Sequence, residues 1–125
     1  MCCNDKDAVK CKHKGIPVIE VTENLLNEMT EVLVKEIKPE RIILFGSHAN
    51  GSATSDSDID LLIIVPHEFS PLNKRSDEVK RIRRILSRFR VAKDILVFST
   101  DEVTRWVHSA NHIIAQAFRE GKVLY

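Results

Sequence analysis

Aromatic residues are scarce in this 125-residue chain, where five Phe, one Tyr and one Trp make up 6% of the whole. Rings do not interleave with the basic residues so as to stack successive bases, and sequence-tolerant single-strand binding is not supported. Long apolar runs are also missing. The longest is Leu61-Leu62-Ile63-Ile64-Val65, far short of the roughly 20 residues a membrane helix requires. The polar, Lys-rich opening residues hold no apolar signal-peptide core, so a cytoplasmic location is expected. Net charge nearly vanishes, at +1, so any nucleic-acid contact has to be argued locally. No internal repeat or low-complexity tract occurs. Cysteine is confined to Cys2, Cys3 and Cys11. An odd count without a signal peptide argues against a disulfide framework. With His13 these cysteines match no standard zinc spacing, and a reduced, mobile tail is expected.

What is present describes one domain with a single modest core: 43% hydrophobic and 30% charged residues. Residues 1–15 read as a polar lead-in and 16–125 as the domain. Thr22-Glu23 starts a helix whose apolar face is Leu25, Leu26, Met29, Val32, Leu33 and Ile37, ended by Pro39. Arg41 to Phe45 reads as a buried strand leading into Gly46. Gly46 to Ser57 is a small, polar loop with room for one helical turn. Asp58 to Val65 is a second strand, closed by Pro66. Ser70-Pro71 has the form of an N-cap with proline first in a helix running to Phe89, which buries Val79, Ile82, Ile85, Leu86 and Phe89. Lys93 to Ser99 is a third strand. Thr100-Asp101-Glu102 caps one last helix with the apolar stripe Val103, Trp106, Val107, Ala110, Ile113, Ile114, Ala117 and Phe118. Gly121 ends it, and Val123 to Tyr125 supplies a short edge strand. The order predicts an α/β (α+β) sandwich, helices packed on a small mixed sheet.

Asp58-Ile59-Asp60 opens the second strand. Alternation puts both carboxylates on one face, where they repel each other and gain nothing from burial. A hard divalent cation resolves that conflict, and Mg²⁺ favours carboxylates together with phosphate oxygens. A solvated pair is the competing reading of an isolated Asp-x-Asp. Asp94 shifts the balance, because it opens the third strand as Asp58 opens the second. If the strands are neighbours, three carboxylates meet at one sheet end, as a two-metal site demands; Asp94 would then also accept the acceptor proton. Strand placement is the sole warrant for choosing Asp94 over Asp56 or Asp101. Gly46-Ser47 follows the first strand directly, and glycine there lets a phosphate approach the backbone while Ser47 offers a hydroxyl and an N–H.

The whole stretch Gly46-Ser47-His48-Ala49-Asn50-Gly51-Ser52-Ala53-Thr54-Ser55-Asp56-Ser57-Asp58-Ile59-Asp60-Leu61 closely resembles the signature of the DNA polymerase β-like nucleotidyltransferase superfamily. At this length the chain looks like its minimal nucleotidyltransferases. The similarity extends from about Ile37 to the closing Gly121-Lys122-Val123-Leu124-Tyr125. The chain departs from many relatives at Asn50, where arginine is common, and at His48, where Arg or Tyr is. The resemblance implies that Gly46, Ser47 and His48 bind nucleotide and that Asp58, Asp60 and Asp94 hold two Mg²⁺ ions and catalyse transfer of NMP, AMP from ATP, to a hydroxyl. It further implies a tyrosine of a HEPN-domain toxin as acceptor, the chain being the antitoxin of the pair. A contact-only antitoxin, and a transferase for a small-molecule or RNA acceptor, are the alternatives. No room is left for an acceptor domain, so a partner protein or a second copy of the chain should complete the cleft.

Other features make weaker claims. Residues 71–90 carry eight Lys/Arg and two acidic residues: Lys74, Arg75, Lys80, Arg81, Arg83, Arg84, Arg88 and Arg90. Most read as the solvated side of an amphipathic helix, with one or two free to approach a nucleotide. His108 and His112 are four apart but lack the Glu of a zinc-hydrolase motif and read as surface residues. Trp106, in the apolar stripe, reads as core.

Overall fold

A computed structural model describes residues 21–54 and 57–125. Cys2, Cys3, Cys11, His13 and Asp56 lie outside them. The elements follow as α1 (Glu23–Ile37), β1 (Arg41–Phe45), α2 (Ser47–Asn50), β2 (Ile59–Val65), α3 (Arg75–Ile85), a 3-10 turn (Leu86–Arg88), β3 (Lys93–Ser99), α4 (Thr100–Trp106), α5 (Ile113–Glu120) and β4 (Lys122–Val123). The four strands form one sheet in the order β3-β2-β1-β4. The pair β2·β3 is parallel, while β1 runs antiparallel to β2 and β4. This is the mixed α/β sandwich that the element order predicts.

Alternation along the strands sorts side chains to two faces. Ile42, Leu44, Ile59, Leu61, Ile63, Val65, Ile95 and Val97 face α1 and α3, and with Leu26, Met29, Leu33, Ile82 and Leu86 they make the main core. The opposite face carries a smaller cluster, Ile43, Leu62, Ile64 and Ala117, with half-buried Phe45, Leu96, Phe98, Val103 and Phe118 around it. Burying a side chain such as Leu33 is worth about 1.5–3 kcal/mol, so the two-sided β2 stabilises the sheet most. α1 begins as its sequence indicates, with the Thr22 hydroxyl accepting from the Leu25 N–H at 3.1 Å. It ends where Lys38 turns left-handed (φ 55°) before Pro39.

Several limits differ from expectation: β2 begins at Ile59 and not Asp58, α3 gives way to the 3-10 turn at Leu86 before Phe89, and the edge strand is Lys122–Val123 and not Val123 to Tyr125; two helix boundaries and the role of Gly121 have a clear local reason. Ser70-Pro71 does not open α3. Ser70 and Asn73 exchange backbone hydrogen bonds of 3.0 Å, and the Ser70 hydroxyl accepts from the Asn73 N–H at 3.1 Å, so Pro71 serves a tight turn instead. The last helix is two. Trp106 and Ser109 carbonyls accept from Ser109 and His112 N–H groups, and His112 Nδ1 then caps α5 by accepting from the Ile114 N–H at 3.1 Å. The break leaves Trp106 39% exposed, stacked on His112 with centroids 4.8 Å apart, rather than in the core. His108 and His112 thus do not share a helix. Gly121 does end α5, yet its φ is not positive. A Cβ there would stand 2.3 Å from the Ala117 carbonyl oxygen and 2.5 Å from Ile43, so glycine is needed for close approach to β1.

The open edge of β3 is guarded by Arg75. Its guanidinium donates to the Val97 carbonyl at 2.8 Å, lies over the rings of Phe69 and Phe98, and forks onto both carboxylate oxygens of Glu102. Glu102 also accepts from the Ser99 N–H at 2.9 Å while the Ser99 hydroxyl caps α4, a reciprocal capping box. Arg75 first, aided by Ser99, holds the Glu102 carboxyl below its ordinary 4.5. A lowered folded-state value means stability that is present above the unfolded value and lost as pH falls through the folded one. Glu102→Gln is therefore expected to cost about 1 kcal/mol at pH 7, a discounted figure because Arg75 is 40% exposed. Urea melts of both proteins at pH 7 and pH 3 check this, the gap closing at the lower pH.

Candidate active site

Three chain segments reach the same end of the sheet: the end of β1, the start of β2 and the start of β3. Register places Phe45 opposite Asp60 and Asp60 opposite Asp94. The three side chains therefore form one row across neighbouring strands, on the face shared with Leu62 and Leu96. Asp58 is exposed and stands one residue before β2, so it sits at the rim of that row. Asp101, the other aspartate beside β3, is at the opposite end and accepts from the Ser99 hydroxyl. The placement of Asp94 follows from the register of two parallel strands.

Gly46 ties β1 to this row. Its backbone (φ 77°, ψ −156°) is one that essentially only glycine adopts. A Cβ at that position would stand 2.2 Å from Asp60 Oδ2, so the Asp60 carboxylate lies directly against the Gly46 backbone. The chain then turns into α2, with Ala49 and Asn50 N–H groups donating to the Gly46 carbonyl at 3.0 and 3.2 Å. His48 straps this turn to the residue before Asp58, its Nε2–H donating to the Ser57 carbonyl at 3.2 Å. Ser57 Oγ accepts from the Thr54 N–H at 2.9 Å, and Asn50 Oδ1 accepts from the Ser52 N–H and hydroxyl. Sequence reasoning missed this strap, because a His–carbonyl contact nine residues apart leaves no periodic trace.

Burial raises the Asp60 pKa above the ordinary carboxylate value, the charges of Asp94 and Asp58 raise it further, and His48 pulls it down. None of the three aspartates makes an ion pair with a described residue. Among the described residues no three His, Cys, Asp or Glu side chains stand close enough together to hold one ion. The carboxylates are thus near enough to repel one another without being gathered around a point. Their chemistry still fits a hard divalent cation: acceptor-only oxygens, adjacent and uncompensated.

The basic residues of α3 fall elsewhere. Arg75 is committed to the far end of β3. Arg81 donates to the Glu36 carbonyl at 2.8 Å, and Arg88 lies over the Phe89 ring at 4.9 Å. Among the described residues no helix is long and apolar enough to cross a membrane.

Residues 26–122 match the nucleotidyltransferase domain family. The chain belongs to that family. Two proteins of Methanocaldococcus jannaschii, both named provisionally as protein adenylyltransferases, are similar to it. One is 32% identical over 80 residues, spanning 64% of this chain and 74% of the relative. The other is 31% identical over 85 residues, spanning 68% and 77%. Two solved toxin–antitoxin structures share the fold. A complex with AMP-PNP gives a TM-score of 0.51 at 22% identity over 80% of this chain and 72% of that one. The MntA-HepT complex gives 0.52 at 19% over 83% and 72%. As a nucleotidyltransferase, the chain has its Gly-Ser turn and Asp-x-Asp strand within the matched span, and Asp94 lies there too.

Proposed function

We propose that this nucleotidyltransferase moves AMP from ATP, with Mg²⁺, onto the hydroxyl of a tyrosine in a HEPN-type toxin partner, and so acts as its antitoxin. The observation that carries the chemistry is the register of Asp60 with Asp94 on adjacent strands, with Gly46 leaving room for nothing but the carboxylate beside it. The names of the two archaeal relatives support AMP as the transferred group. Fold likeness to toxin–antitoxin structures, one holding AMP-PNP, supports the partner and the nucleotide.

In this reading Asp58, Asp60 and Asp94 are the Mg²⁺ ligands. The bound metal would supply charge neutralisation of the triphosphate and of the attacking oxygen. Gly46, Ser47 and His48 form the turn against which the triphosphate lies. The acceptor oxygen attacks the α-phosphorus, the bond from that phosphorus to the bridging oxygen breaks, and pyrophosphate leaves. The hydroxyl proton passes to the Asp94 carboxylate.

The test is intact-mass measurement of a HEPN-type partner incubated with this chain, ATP and Mg²⁺. A gain of one or more AMP units is expected, absent with chelator and absent with Asp60→Asn. A partner of unchanged mass, whose toxicity is nonetheless relieved equally by wild type and by an Asp58→Ala, Asp60→Ala chain, would establish neutralisation by contact instead.

A further inference from the structure

From Val79 to Lys93 the chain carries seven Lys/Arg and no acidic residue. Four of these, Lys80, Arg83, Arg84 and Arg88, recur at helical spacing along α3 and the 3-10 turn, and all four are exposed. None has a carboxylate partner among the described residues. Arg81, on the flank, is the one turned to the Glu36 carbonyl and to Glu78. Like charges three and four residues apart on one helix, with no carboxylate partner among the described residues, repel one another at a cost to the fold.

We infer that this stripe is a docking surface for the phosphate backbone of double-stranded nucleic acid. Protein interfaces centre on desolvated apolar anchors, and none lies here. Among the described residues the exposed large hydrophobics are Leu72, Trp106, Val123 and Tyr125, all outside the stripe. A membrane surface is unsuitable because the apolar side of α3, Ile82 with Leu86 behind it, is already spent in the core. Backbone phosphates need only spaced cations, and arginine, three of the four, suits their forked acceptors. The absence of exposed rings on the stripe favours a duplex over a single strand. Residues of α3 pack under β3 on the face opposite the aspartate row, so the surface is separate from the transfer site and stands or falls independently of it.

The experiment is fluorescence anisotropy of the full chain with a labelled duplex of about 20 base pairs, in DNA and in RNA form, across a salt series. Four phosphate contacts predict a slope of log K against log salt of about −3.6, or roughly 150-fold weaker binding at 200 mM than at 50 mM salt. Arg83→Gln with Arg84→Gln should halve the slope to about −1.8 for both duplexes and leave nucleotidyl transfer unchanged. Arg83→Glu with Arg84→Glu should abolish binding, a melting curve confirming the fold; the Gln pair keeps the test open if the Glu pair does not fold. An unchanged slope in the Gln variant would overturn the inference, placing any binding in other cations. Binding to polyglutamate but not to either duplex would overturn it in favour of an acidic protein face.

Discussion

Asp60→Asn is expected to abolish nucleotidyl transfer, by at least about 1000-fold in kcat/KM, while leaving the fold intact or more stable. Asparagine keeps the size of the side chain and its place against Gly46, so the loss isolates charge. Asp60 is the middle member of the carboxylate row, opposed to Asp94 across the strand pair and near Asp58. Removing its charge leaves Asp58 and Asp94 without the carboxylate that acts on both of them. The stability effect has the opposite sign. Burial and the two neighbouring charges raise Asp60 above the ordinary carboxylate value. A raised carboxyl is one the fold prefers protonated, so its stabilising contribution is full at low pH and disappears as pH rises through the folded value. In chelator at pH 8 the Asn variant should therefore melt at or above the wild type, and near pH 3 the two should coincide. Differential scanning calorimetry at both pH values, beside the transfer assay, checks the pair of effects. A variant that lost activity only because it unfolded would melt lower at pH 8.

Gly46→Ala is expected to damage activity and stability together. The backbone there, φ 77° with ψ −156°, costs a side-chain-bearing residue about 1–3 kcal/mol. The added methyl also has nowhere to go, since its ideal position is 2.2 Å from Asp60 Oδ2. Either the β1–α2 turn moves or Asp60 changes rotamer, and both displace the carboxylate from Asp94. A fall in transfer of at least about 100-fold should accompany the melting change, because misplacement of about 1 Å near reacting groups costs that much. Urea unfolding and the same transfer assay test this. Asn50→Ala is a useful contrast: among the described residues its carboxamide serves Ser52 within the loop, and a loss below about tenfold is expected, consistent with a turn weakened by one or two hydrogen bonds.

β1, β2 and β3 were readable as short apolar, β-branched runs, and β1 and β3 match their expected limits residue for residue, whereas β4 is Lys122–Val123 and not the expected Val123 to Tyr125, two residues being too few to leave a pattern. The convergence of Asp60 and Asp94 was readable because both open neighbouring apolar strands, and parallel register then sets them side by side. What could not be read were contacts between segments. Nothing in Gly46-Ser47 announces that the glycine is required by the Asp60 carboxylate fourteen residues later as well as by its own φ. The His48–Ser57 strap has no spacing signature. The split of the last helix depends on Ser109 and His112 offering local hydrogen bonds, which beat an apolar stripe that continues through the break. Arg75 read as one cation of a solvated stripe, and only the tertiary fold shows it committed to Val97 and Glu102.

The most direct test of the carboxylate row as a metal–nucleotide site is calorimetric titration of ATP into the chain, with Mg²⁺ and with chelator, for wild type and an Asp60→Asn, Asp94→Asn chain. Saturable binding that needs Mg²⁺ and disappears in the double variant is the expected result. Binding of equal strength in the variant, or binding indifferent to Mg²⁺, would show that the nucleotide sits elsewhere and that the row of aspartates is not its site.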